Sequence, residues 1–321
     1  ITTRFPNDAV RRFAAMEDAA DWLHRLRIVG IDLRDPAQVV ALADDVAAQG
    51  PLDILVNNAA QTVRRSPEAY APLVAAEREP LPAGPLPDVV TFGRAGGDLR
   101  LTAGPEHTTQ PGVLPEHWAP TPHALASLAQ SARSASFDLI AEGRAIDAGG
   151  LVPDLHDSNS WIQKVEEVDP VELLEVQLCN QTAPFILVSR LRQSMARAAA
   201  AAPSGRGHIV NVSAMEGQFG RGYKGPGHPH TNMAKAALNM LTRTSAQELF
   251  EQDRILMTAV DTGWITDERP HPDRVRLAET GFHAPLDLVD GAARVYDPIV
   301  RGERGDDVFG VFLKDYAPSP W

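Results

Sequence analysis

A single cysteine, Cys179, stands among 321 residues, so the chain carries no disulfide framework. It lies in an apolar stretch and reads as a small core residue rather than a nucleophile. No apolar run reaches roughly 18 residues, so no membrane-spanning helix is expected. No signal-peptide pattern opens the sequence, and the cytosol is the expected compartment. Positive charge is in deficit: 30 Lys and Arg face 42 Asp and Glu, a formal net charge of −12. Phosphate backbones and anionic membranes are bound by clustered Lys and Arg, so neither nucleic acid nor membrane is an expected partner. The acidity reads as solubility. No internal repeat is visible. His107, His117, His123 and His156 fall at spacings that match no metal site, and no metal is expected.

What is present is an ordinary share of apolar residues, 44%, enough for a real core. Arg27 to Asp32 reads as a short buried strand. Pro36 opens a helix with Asp35 as its N-cap, and apolar residues recur at helical spacing up to Gly50. A second strand, Leu52 to Val56, ends in Asn57-Asn58-Ala59-Ala60. Strand, helix and strand with short joins make a βαβ unit with a parallel sheet.

From about residue 66 to 165 the composition turns to Pro, Gly, Ala and His, with a hint of helix only over Leu125 to Ile146. This reads as a long insert, an elaborated loop with partial structure, either a lid or an open excursion. Beyond it a long helix is expected over Pro170 to about Met195 and a strand over Gly207 to Ser213. A second long helix follows from Pro229 to about Gln252, then a strand over Arg254 to Val260. A helix over Asp287 to Val300 and a last strand over Asp307 to Leu313 complete the alternation. The expected fold is α/β, a Rossmann-like doubly wound parallel sheet in a single domain interrupted by the insert.

Several pieces now fall in a telling order: Asp32-Leu33-Arg34-Asp35, Asn57-Asn58-Ala59-Ala60, Asn180 within a long helix, Gly207 to Ser213, Lys235 early in the next helix, and Thr262-Gly263-Trp264. In that order and spacing the chain resembles the short-chain dehydrogenase/reductase family everywhere except residues 66 to 165. The resemblance implies NAD(P)-dependent hydride transfer on a small carbonyl or alcohol substrate. It places Asp32 and Leu33 at the adenine, and Asn57, Asn58 and Ala59 along the dinucleotide. Small residues there let the cofactor approach the backbone, while Asn amides tie strand ends together. Thr262 and Gly263 would meet the nicotinamide carboxamide and Thr266 the pyrophosphate. Arg4 follows Ile1-Thr2-Thr3, which looks like the end of the family's second strand. A cation there pairs with a 2′-phosphate, so NADP is expected over NAD.

Two departures stand out. The family's first strand and its glycine-rich turn would precede Arg4 and are not among these residues. About 30 further residues are therefore expected ahead of Ile1, and residues 1–321 alone are expected to bind a dinucleotide weakly or not at all. The second departure is catalytic. The family uses Asn, Ser, Tyr and Lys, with the Tyr four residues before the Lys so that both share a helix face. Here Asn180 and Lys235 match, but Thr231 stands at the Tyr position. An aliphatic hydroxyl is too weak an acid for the same work. Aligning Gly217 with the family's glycine puts Ala214 at the Ser position, with Ser213 its structural neighbour.

Tyr223 and His230 are the candidate substitutes for the proton donor, the second because imidazole titrates near working pH. Thr231 itself reads as a first-turn residue of its helix. Two functions follow: an oxidoreductase with Lys235 as ribose clamp, Asn180 as water anchor and a non-standard donor, or a catalytically inactive nucleotide-binding or protein-interaction module. Helices 170–195 and 229–252 are the expected surface for a homo-oligomer.

Overall fold

A computed structural model of the chain describes residues 1–92, 156–281 and 284–321. The helix expected over 125–146, and His107, His117 and His123, lie outside the described residues. In chain order the strands are β1 (Thr2–Thr3), β2 (Arg27–Gly30), β3 (Ile54–Asn57), β4 (Asp88–Thr91), β5 (Gly207–Ser213), β6 (Ile255–Asp261), β7 (Phe312–Lys314) and β8 (Ala317–Ser319). The α-helices are α1 (Pro6–Ala14), α2 (Ala19–Trp22), α3 (Pro36–Ala48), α4 (Ala71–Ala76), α5 (Pro170–Gln177), α6 (Ala183–Ala201), α7 (Pro229–Asp253), α8 (His271–Glu279) and α9 (Leu288–Glu303). Among the described residues no helix is long and apolar enough to cross a membrane.

The chain divides into two compact units, one of residues 1–41 with 65–156 and the other of 42–64 with 157–321. The first holds a parallel three-stranded sheet in the order β1-β2-β4. Its strand β4 falls within the expected insert and was not legible as a strand, a correction to the reading of that segment. The run Asp88-Val89-Val90-Thr91 is β-branched but only four residues long and follows Pro-rich sequence, which hides it. Arg27 and Asp88, opposed across the ladder, form an ion pair at 3.0 Å.

The second unit holds a five-stranded sheet in the order β3-β5-β6-β7-β8, parallel except for the antiparallel pair β7-β8. Every residue of β5 and β6 is buried, as expected of central parallel strands covered on both faces. Val210, Val260, Ile299 and Leu313 form a core where α9 packs on these strands.

The α/β parallel architecture agrees with the expectation, with three local differences in this unit. The last parallel strand is shorter than 307–313 because Gly310 takes φ 66°, a break that a strand cannot span. Strand β8 was not foreseen. The helix expected over 170–195 is α5, a π turn over Leu178–Thr182, and α6. Pro184 offers no N–H to the preceding turn, so the ladder changes register just where Asn180 sits.

Candidate active site

Lys235 is set at the carboxyl end of β5 by close packing of the turn that follows the strand. After Ser213 and Ala214 the chain makes a 3₁₀ turn over Met215–Gly217 that lies on α7. A Cβ at Gly217 would stand 2.8 Å from the Lys235 carbonyl oxygen and 2.6 Å from the Asn239 amide nitrogen, so only glycine fits. Ser213 donates its hydroxyl proton to Asn239 Oδ1 at 2.6 Å inside the buried strand. The Lys235 Nζ donates to Val212 O at 2.8 Å, and the residue is 9% exposed. Burial lowers its pKa to about 8, against the opposing influence of Cys179, Glu216 and Asp261.

The start of α7 is pinned from outside. His228 takes the left-handed conformation (φ 42°) just before the helix, its ring stacks on Trp161 at 4.0 Å, and its Nδ1 lies 2.7 Å from Trp161 O. Pro229 fits the first helical position, where no N–H is needed. His230 is 2% exposed, and neither ring nitrogen has a hydrogen-bond partner among the described residues. Burial, helped by the charge of His228, lowers its pKa to about 4. The ring is neutral at pH 7 and is not charged as an acid there. Thr231 is buried, and its hydroxyl donates to Thr62 O at 3.3 Å. Tyr223 is 76% exposed on the loop before α7. Beside it Lys224 donates to Met215 O and Glu216 O, closing that loop on the 3₁₀ turn.

The chain leaving β3 is clamped as well. Asn57 donates to Asn211 Oδ1 at 2.8 Å, and Asn211 donates in turn to Thr242 on α7 at 2.9 Å. Asn58 and Ala59 are exposed. Asn180 uses its whole amide on Gln61, accepting from its backbone N at 2.7 Å and donating to its carbonyl at 2.9 Å. Gln61 and Arg64 then reach the buried Glu175 of α5, each at 2.9 Å. Glu172 accepts from the Arg64 backbone at 2.6 Å and from Ser160. Gln61, Arg64, Glu172, Glu175 and Asn239 were missed by sequence reasoning, since nothing local distinguishes them from surface polar residues. The π turn with Asn180 packs against α7, the helix that carries Lys235.

At the end of β6, Asp261 Oδ1 accepts from the Gly263 backbone at 2.9 Å, and burial raises the Asp261 pKa. Gly263 has φ 78°, and a Cβ there would meet Leu286 at 2.5 Å. Thr266 is exposed and donates to Glu268 at 3.0 Å.

The remaining candidates belong to the first unit. Arg34 holds Asp32 by a charged fork, its Nη2 at 2.6 Å from Oδ2 and its Nε at 3.0 Å from Oδ1. Burial pushes the Asp32 carboxyl up, but the hydrogen bonds and charge of Arg34, with Arg4 adding, hold it below the usual range. The next residue, Leu33, is half-buried. Arg4 lies 4.8 Å over the Tyr70 ring, is exposed, and forms no ion pair among the described residues.

No family model matches the chain. An uncharacterised protein of Acanthamoeba polyphaga mimivirus is 30% identical over 156 residues, 47% of this chain and 32% of that protein. The chain thus spans about a third of the length of the curated relative it matches. Among solved structures, the carbonyl reductase Sniffer of D. melanogaster superposes with a TM-score of 0.52 at 17% identity, covering 100% of this chain and 86% of that one. ElxO with NADP bound superposes with a TM-score of 0.50 at 14% identity, covering 98% and 84%. The chain has the short-chain dehydrogenase/reductase fold. At positions 231 and 214, where the resemblance places a tyrosine and a serine, the chain carries Thr231 and Ala214.

Proposed function

We propose that this protein is an NADP-dependent oxidoreductase of the short-chain type, transferring hydride between cofactor and a small carbonyl or alcohol, with a proton donor other than tyrosine. The observation that carries this reading is Lys235: a buried amine held at the carboxyl end of β5, where parallel α/β sheets bind their ligands. Two proteins of similar fold, a carbonyl reductase and one with NADP bound, favour the same class. The residues present fit a dinucleotide. Asn58 and Ala59 offer small exposed groups after β3, and Thr262 and Gly263 a half-buried turn after β6. In the first unit, Arg4 is an exposed cation with no ion pair among the described residues, the charge that the resemblance assigns to a 2′-phosphate. The bound nicotinamide would supply the hydride, and the protein would supply orientation and the proton.

A second reading, a catalytically inactive nucleotide-binding or interaction module, is favoured by Thr231 and Ala214 alone. Self-association through α6 and α7 belongs to either reading; exposed Phe185, Met233 and Met240 support it. A cytosolic location accords with both.

Titration of NADPH and NADH into the natural-length protein tests the cofactor. NADPH is expected to bind at least about tenfold more tightly than NADH, and Arg4→Ala to remove most of that difference. Equal affinities, unchanged by Arg4→Ala, would reject the NADP assignment.

A further inference from the structure

Reduction of a carbonyl takes a hydride, which reduced nicotinamide supplies when bound, and a proton, which a protein group must deliver. Most proton-bearing side chains around the end of β5 are already committed. The Thr231 hydroxyl donates to Thr62 O, and the Ser213 hydroxyl to Asn239. The Asn180 amide is spent on Gln61, and position 214 carries only a methyl group. His230 is a neutral ring at pH 7, and Tyr223 is turned out on an exposed loop.

Lys235 differs from all of these. It lies one turn after Thr231 on the same face of α7, so it serves the region a residue at position 231 would serve. Its Nζ gives one hydrogen to Val212 O, and the other two have no acceptor among the described residues. The turn at Gly217, jammed on the Lys235 backbone, fixes the base of the side chain.

We propose that Lys235 is the proton donor of this protein: an Nζ–H bond of its ammonium breaks as the O–H bond of the product alcohol forms, and the amine left behind regains a proton from water. The assignment rests on the oxidoreductase reading above. The surroundings suit it. Burial brings the ammonium to about 8, near working pH, while Cys179 on the π turn, Glu216 on the 3₁₀ turn and Asp261 at the end of β6 favour the charged form. His230, on the same helix, is uncharged at that pH.

The chain has only four lysines, Lys164, Lys224, Lys235 and Lys314, so ¹³C labelling at lysine Cε resolves each by NMR. One resonance, absent from Lys235→Arg, is expected to titrate near 8. A Lys235 resonance that titrates only above about 10 overturns the assignment, with no enzyme assay involved. In turnover with NADPH and a carbonyl substrate, kcat is expected to fall as pH rises through about 8, as the ammonium deprotonates. Lys235→Arg keeps the cation but cannot release its proton. It should lose about a hundredfold or more in kcat at saturating NADPH. If Lys235→Arg keeps kcat and its pH profile, the donor assignment fails and the oxidoreductase reading stands. If Tyr223→Phe or His230→Gln causes the same loss instead, the role passes to that residue. If the parent binds NADPH yet reduces no carbonyl, the oxidoreductase reading fails and takes the assignment with it.

Discussion

Lys235 and His230 share one helix, and burial works against the charged form of each. For Lys235 the result is an acid poised near neutral pH. For His230 the result is an uncharged ring whose two nitrogens have no partner among the described residues. A buried, unsatisfied polar group costs stability, so His230→Leu is expected to raise it by about 1–3 kcal/mol in denaturant unfolding. The pH dependence adds a second signature. The folded pKa, about 4, lies below the ordinary 6.5, so the unfolded chain binds the proton more readily between these values. Stability contributed by the neutral ring is present above 6.5 and lost as pH falls toward 4, and the Leu variant should lack that loss. A less stable variant would mean that the ring makes polar contacts worth keeping.

Among the elements, the strands β5 and β6 and the helix α7 were legible because their apolar spacing is continuous over many residues. Asn57, Asn180 and Lys235 stood out as candidates because they lie at fixed distances in sequence from those elements. The clamp of Gln61 and Arg64 on Glu172 and Glu175 was not, because its partners lie over a hundred residues apart. A buried carboxylate on a helix looks, in sequence, like a solvated one. The π turn had a visible signal in Pro184, inside a stretch read as one unbroken helix. The outer faces of α6 and α7 leave Phe185, Met233 and Met240 exposed, the two methionines two turns apart on one face. If these faces join two copies, light scattering should give a dimer that Phe185→Asp or Met233→Asp converts to monomer. A parent chain that is already monomeric at assay concentrations would remove the interface.

At the scale of the molecule, the fold places its ligand-binding candidates at strand ends without dictating their chemistry. Where the resemblance places a tyrosine and a serine the chain carries Thr231 and Ala214, so on the oxidoreductase reading proposed above the proton comes by another route. NADPH-dependent reduction of a panel of small aldehydes and ketones by the natural-length protein, followed by loss of cofactor absorbance, tests this most directly. The expected result is saturable turnover, fastest below about pH 8, that collapses in Lys235→Arg. Tight NADPH binding with no turnover on any carbonyl at any pH would contradict it.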